Sequence, residues 1–276
     1  MKSVFYLHIF FHPLSKMRRK LTLMLKELIA KYGKQKVNTL TKYPSILTLH
    51  KLGERGRLTN EFTTDIRGEQ MFATEKIDGT NVRIICWKNE YLIGSREFIL
   101  HHCDDLYYDM AQGIVDGLKE LNAKMPHPSD MTVFYGELFG GKMSAQSKQY
   151  GTNKIGFRLF DIAVYSDLSI LEKSNEEISR WRERETADGI VYGQNFLNKD
   201  VLNTYSHLFD IVPSLPFDVG DMAHRTILDN LRTFIPETNV ALSELALKKP
   251  EGVVLRNNSR TKIVKVRYED YERTLR

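Results

Sequence analysis

The strongest constraint on how this chain can fold is a set of short segments whose apolar residues alternate with a period of two. Within residues 71–96, Val82, Ile84 and Cys86 alternate with Arg83, Ile85 and Trp87 ahead of a turn at Lys88, Asn89 and Glu90. Such alternation sends successive side chains to opposite faces of a strand and predicts a hairpin. Strand-like runs return at 131–135 and 157–164, and again at 252–256 and 262–268, where an Asn-Asn-Ser turn separates the pair. Helical spacing interrupts them. It is expected at 17–31, through Leu106, Met110, Ile114, Leu118 and Leu121 with Asp104 and Asp105 at the positive end, and at 196–208 and 223–234. Residues 51–67 read as a loop, and the charge-dense stretch 172–185 reads as a solvated surface segment. Strands mixed with helices over 276 residues predict an α+β chain, with one large domain as the default.

Composition excludes several classes of protein. Forty Lys and Arg against thirty-five Asp and Glu give a net charge of +5, which suits a polyanionic partner without requiring one. The two cysteines, Cys86 and Cys103, are too few for a disulfide framework and sit in no metal-type spacing, so a reducing compartment is expected. The apolar run at 4–11 is broken by His8, is followed by His12 and then the basic stretch 16–20, and lacks a small-residue cleavage pattern, so it is not read as a signal peptide. No apolar stretch approaches the roughly 18 residues needed to span a bilayer, and no membrane partner is expected. The neighbours His101, His102, Cys103 and Asp104 lack a second ligand pair at matching spacing and are not read as a metal site; His207 and His224 are read as ordinary helix residues.

The chemistry concentrates in Glu75-Lys76-Ile77-Asp78-Gly79-Thr80-Asn81, a lysine between a strand and a glycine turn. A lysine amine is a nucleophile only when deprotonated, and burial or neighbouring cations favour that form. Further pieces follow in order: Gly94-Ser95-Arg96; Phe134 to Gly140, with Glu137 at its centre; Phe157 to Ile162, containing Phe160; Glu251 to Leu255; and Lys262-Ile263-Val264-Lys265-Val266-Arg267.

As an ordered set these motifs resemble the covalent nucleotidyltransferase superfamily of polynucleotide ligases and mRNA capping enzymes, and within it the RNA ligase 2 family most closely. The resemblance runs from about Tyr43 to the C-terminus. It implies an α+β nucleotidyltransferase fold, an ATP-grasp-like ligase domain of antiparallel sheets flanked by helices, with ATP in the cleft between them. It also implies an ATP-dependent RNA ligase. Lys76 would attack the α-phosphorus of ATP and carry AMP, and Lys265 would touch the α-phosphate. Glu251, with Asp78, would hold a divalent ion, Mg2+ or Mn2+. Glu137 would bind the ribose and Phe160 would stack on adenine. Arg96 would hold AMP or the RNA 5′-phosphate, Asn81 would organise the later steps, and Glu75 would join the nucleotide site. The family has two lysines one residue apart in the last motif where this chain has Lys265 and Arg267, so Arg267 and Lys262 both stand as candidates for the triphosphate contact.

The implied partner is RNA with 5′-phosphate and 3′-hydroxyl ends, in RNA repair, with room for a partner protein. The alternatives are a DNA ligase core, a capping guanylyltransferase core, and a non-catalytic nucleic-acid-binding module. DNA ligases and capping enzymes carry an oligonucleotide-binding (OB) barrel after the final basic strand, whereas only residues 268–276 follow Arg267, so no C-terminal OB domain is expected. Residues 1–42 are expected to form a basic helical extension ahead of the catalytic domain at 43–276, with Lys16, Arg18, Arg19, Lys20, Lys31, Lys34 and Lys36 as candidate phosphate contacts. A monomer is expected, in the cytoplasm of a cell or of the host of a virus or phage.

Overall fold

The computed structural model describes residues 24–102, 105–106, 112–119, 121, 126–186, 189–191 and 193–276. Two antiparallel sheets carry the fold. The larger has seven strands, β4 (Thr80–Trp87), β5 (Glu90–Ser95), β6 (Ile99–His102), β7 (Asp105–Leu106), β8 (Met131–Gly140), β9 (Ile155–Tyr165) and β12 (Asn195–Phe196), in the order β12-β9-β8-β4-β5-β6-β7. The smaller has four, β3 (Met71–Lys76), β13 (Ser214–Leu215), β14 (Gly252–Asn257) and β15 (Ile263–Arg267), in the order β13-β3-β14-β15. Two further strand pairs, β1 (His50–Leu52) with β2 (Leu58–Phe62) and β10 (Arg184–Thr186) with β11 (Gly189–Val191), stand apart from them.

Helices cover the sheets as the apolar patterning requires. On one face of the large sheet, α1 (Met24–Tyr32), α2 (Lys34–Thr41) and α4 (Asn175–Arg182) bury Leu25, Leu28, Val37, Leu40 and Ile178 against Ile85, Leu92, Val133 and Tyr135. On the other, α3 (Gln112–Lys119) and α5 (Lys199–Thr204) bury Val115, Leu118 and Leu202 against Val82, Ile84, Cys86 and Phe134. This is the two-sided burial that alternation in β4 demands. The small sheet packs Val253, Leu255, Val264 and Val266 against α6 (His224–Phe234) and α7 (Tyr268–Leu275).

Several expectations are corrected. Residues 51–67 contain a hairpin, β1 with β2, rather than a loop throughout. Its strands show little alternation because most of their side chains are solvated. Asp105 and Leu106 lie in β7 rather than in a helix, and α3 covers Gln112–Lys119; Asp104 and Met110 lie outside the described residues. Residues 172–185, mostly solvated as expected, contain α4, whose Ser174 and Glu177 form a reciprocal capping box that satisfies two orphan amides. The helix expected over 196–208 is confined to α5 followed by a 3-10 turn, because Phe196 pairs with β9.

Of the basic extension, the helices from Met24 onward pack Leu25, Leu28, Val37 and Leu40 against the large sheet. The first amides of α1, at Leu25 and Lys26, donate to Glu90 at 2.6 and 3.2 Å. Lys31 pairs with Glu172, and Lys36 donates to the Leu171 carbonyl. Lys16, Arg18, Arg19 and Lys20 lie outside the described residues.

Candidate active site

The lysine motif is the crossover between the two sheets. Lys76 ends β3 in the small sheet, Ile77-Asp78-Gly79 turns, and Thr80 begins β4 in the large one. Ile77 anchors the turn by burying itself with Phe139 and Tyr150, and the Asp78 amide donates to the Tyr150 hydroxyl at 2.7 Å. Gly79 is dictated by contact: a Cβ there would stand 2.2 Å from the Leu138 carbonyl oxygen. Its bare backbone lets the turn settle against β8, where its amide donates to Glu137 at 3.2 Å.

A second bridge closes the back of the cleft. Ile211 pairs with Leu159 of the large sheet, and two residues on the Pro213 carbonyl accepts from the Glu75 amide of β3. Between the sheets lies a pocket whose walls include Lys76, Asn81, Arg96, Glu137, Phe160 and Lys265. With Glu75, seven residues chosen from the sequence thus converge on one concavity.

Register fixes their relative positions. On the pocket face of the small sheet, Lys76, Gly252 and Arg267 form one cross-strand row, Thr74, Val254 and Lys265 the next, and Phe72, Arg256 and Ile263 the third. Glu251, immediately before β14, brings its carboxylate to 2.6 Å from the Lys76 amine. On the large sheet Asn81 lies directly across from Glu137. Phe160 is placed by a β-bulge: Tyr135 pairs with Asp161 and Gly136 with Leu159, leaving Phe160 as the extra residue. Bulges re-aim side chains in this way beside functional sites. Tyr43 braces the Phe160 ring edge-on at 5.0 Å.

Three carboxyls crowd the lysine. Burial, reinforced by Glu251 and Asp78 and opposed by Lys76, pushes Glu137 up to about 8. Burial also raises Glu251 and Asp78, again against the pull of Lys76. Lys265 is shifted down by burial and by the neighbouring charges of Arg267 and Lys76. The pocket therefore disfavours charge of both signs and gains from a ligand that brings phosphate or metal.

Register sets Lys262 and Arg267 far apart. Arg267 shares the row of Lys76; Lys262 precedes β15 at the opposite end, about 16 Å along the strand, and pairs with Glu69 at 3.0 Å. Neither belongs to the pocket wall, but Arg267 acts electrostatically on Glu251 and Asp78 while bound to Asp270 and Glu269. Glu75 lines the pocket, yet its carboxylate is buried and engaged by the Thr238 hydroxyl and by the Asn239 amide and side chain at 2.9 and 3.1 Å. Its side chain thus braces β3 against the 238–239 segment. Among the described residues, no three His, Cys, Asp or Glu side chains cluster to hold a metal by themselves. Asp78 and Glu251 provide hard oxygen donors near Lys76, a set that suits Mg2+ or Mn2+ when phosphate and water complete the shell.

Sequence reasoning gave no role to Tyr43, Lys199 and Arg256, all of which line the pocket. None stands in a chemically distinctive local pattern except Arg256, whose position follows from β14 once Glu251 is placed.

A lysine at the crossover of two antiparallel sheets, with acidic and basic side chains around its amine, defines a nucleotidyltransferase-type site. The model of the RNA ligase family matches residues 69–267, and the chain belongs to that family. Among solved structures, a variant of the Naegleria gruberi RNA ligase with ATP and Mn matches at 15% identity and a TM-score of 0.46, covering 84% of this chain and 62% of that one. The same organism's RNA ligase with PPi matches at 15% identity and a TM-score of 0.44, covering 84% and 63%. The chain thus spans under two thirds of the length of these relatives. No curated protein matches it.

Proposed function

We propose that the chain is the catalytic core of an ATP-dependent RNA ligase, which joins a 5′-phosphate to a 3′-hydroxyl through a lysyl-AMP intermediate in RNA repair. The observation that carries this reading is Lys76, held 2.6 Å from Glu251 at the sheet crossover, with Lys265 one cross-strand row away.

In the first step the Lys76 amine attacks the α-phosphorus of ATP; the P–N bond forms as the bond to pyrophosphate breaks. Lys76 must first lose a proton, to solvent or to Glu251, because in the ion pair that proton holds the lone pair that attacks. A divalent ion held by Glu251 and Asp78 would neutralise phosphate charge when bound. Lys265 offsets charge developing on the α-phosphate without reorganisation. Glu137 accepts from the ribose hydroxyls, and Phe160 stacks on the base. Arg267 faces the leaving pyrophosphate, while Arg96, exposed at the rim and donating to Ser45 at 3.2 Å, is available to the RNA 5′-phosphate. AMP then passes to that phosphate, and attack by the 3′-hydroxyl expels it.

The test is incubation of purified protein with α-labelled ATP or GTP and Mg2+ or Mn2+, followed by 5′-phosphorylated RNA. Acid-labile label from ATP that moves to RNA, and that is lost in Lys76→Ala, is the expected result. Label from GTP would redirect the reading to capping, and retained label in the lysine variant would overturn it.

A further inference from the structure

Lys199 is an unusual group to find in the wall of this pocket. Its side chain is nine-tenths buried, and its ammonium donates to the Ser214 hydroxyl at 3.1 Å and lies 5.6 Å from the Phe72 ring centroid. An ammonium carries three donors and no acceptor, and a buried one is ordinarily paired with a carboxylate. The carboxylate acting on it, Asp200, is exposed and bound to Asn258 at 3.0 Å, while Arg256 adds a second positive charge nearby. Burial and Arg256 accordingly push the Lys199 amine down.

Its backbone is pinned as well. The Lys199 amide donates to both the side chain and the carbonyl of Asn258 in the β14–β15 turn, and Asn198 caps α5. The group is thus fixed in place with donors to spare.

Register shows which part of a nucleotide it would meet. Ser214 pairs with Thr74, one row deeper than Lys76, and Phe72 lies one row deeper still. The Lys199 ammonium therefore stands about 7–13 Å along β3 from the nucleophile. It approaches from the β13 flank, opposite the β15 flank that carries Lys265 and Arg267. With the α-phosphate at Lys76 and the base against Phe160, the deep end of the pocket receives the edge of the base rather than the phosphates.

We propose that Lys199 is a specificity-determining residue that donates a hydrogen bond to N1 or N7 of the bound purine. The proposal rests on the nucleotide-site reading of the pocket and deepens it. A site built around a buried donor rejects a ligand that lacks the matching acceptor, because the donor is then left desolvated and unpaired.

The test compares ATP, 1-deaza-ATP and 7-deaza-ATP in single-turnover formation of the covalent adduct by wild type, Lys199→Met and Lys199→Arg. Wild type should lose on the order of ten- to a hundredfold in efficiency with one deaza analogue. Lys199→Met should lose as much with ATP, mainly through weaker binding, and should no longer distinguish ATP from that analogue; Lys199→Arg should restore the discrimination in part. Should Lys199→Met fold poorly, Ser214→Ala, which frees the ammonium without removing it, must preserve the discrimination. Wild type indifferent to both analogues, or Lys199→Met retaining the wild-type preference, would overturn the proposal while leaving the ligase reading intact. No adduct from ATP with wild type would instead defeat both.

Discussion

The Lys76 amine and the Glu251 carboxylate lie 2.6 Å apart although 175 residues separate them, because Lys76 and Gly252 are paired in neighbouring antiparallel strands. Gly252 holds φ at +153°, and a Cβ there would stand 2.1 Å from the Val266 carbonyl oxygen, so Glu251 is followed by the one residue type that fits. The acid and the nucleophile are thus placed together by sheet register. Glu251→Gln keeps the shape and removes the charge needed for a divalent ion. Adduct formation should fall by on the order of 10–100-fold, with the melting temperature little changed. An unchanged rate across a magnesium titration would detach Glu251 from metal binding.

Arg267 and Lys262, equivalent candidates from the sequence, should separate cleanly. Lys262→Ala removes a half-exposed ion pair with Glu69 and should leave adduct formation within about twofold, since such pairs contribute roughly 0–1 kcal/mol and this one lies far from Lys76. Arg267→Ala should weaken ATP binding. It should also lower stability by about 1.5–3 kcal/mol, because it strands the buried Asp270 carboxylate. Urea denaturation and ATP titration of both variants check this; equal losses would mean the register argument is wrong.

The parts of the fold legible in the sequence are those where burial is two-sided or periodic. β4, β8, β9 and the final strand pair stood out through alternation, and α6 through its stripe of Ile227, Leu228 and Leu231. The hairpin β1–β2 did not, because solvated strands such as His50–Leu52 lack the pattern. α7 was hidden because Tyr268 looked like the continuation of β15, whereas its amide turns back to the Glu251 carbonyl. The site was legible through motif residues on the wall itself. The hydrogen bonds of Glu75 were not, since Thr238 and Asn239 reach it across more than 160 residues. Lys199 was likewise invisible, being a pocket residue only through the long-range pairing of β13 with β3.

Glu137 gives a pH dependence of stability. Its folded-state value of about 8 lies above its ordinary 4.5, so the folded chain holds this proton more tightly than the unfolded chain. The associated stabilisation is present below about pH 4.5 and is lost as pH rises through about 8. Glu137→Gln, which stays neutral, should therefore gain in melting temperature relative to ligand-free wild type between pH 5 and pH 8.5. A difference that does not change with pH would show that Gly79 and Lys76 keep the carboxylate ionised throughout.

Gly79→Ala tests the crossover itself. The added methyl would press on the Leu138 carbonyl and on the Glu137 side chain, with Cβ distances of 2.2 and 3.1 Å. The turn and β8 would have to separate, at a cost of roughly 1–3 kcal/mol from overpacking. Because the same movement displaces Lys76 from Glu137, adduct formation should fall further than the fraction of folded protein does. Thermal melting beside single-turnover labelling distinguishes the two effects, and a rate that simply follows folding would reduce Gly79 to a packing residue.

Asp161 holds the pocket wall behind Tyr43 and Phe160. Its carboxylate, 1% exposed, accepts from Arg256 at 2.9 Å, from Arg260 at 2.5 Å and from the Tyr43 hydroxyl at 2.9 Å. These contacts fix the two arginines of the β14–β15 segment and the tyrosine that braces Phe160. Asp161→Ala would leave two guanidinium groups buried without their shared counter-charge, and the loss should be about 3–5 kcal/mol, large against the margin of a domain this size. Asp161→Asn retains the shape and one acceptor, so it should lose less stability than alanine while still loosening Tyr43. Weaker ATP binding in the asparagine variant at temperatures well below its melting point would show that the buried charge acts through the stacking face, whereas unaltered binding would confine Asp161 to holding the fold.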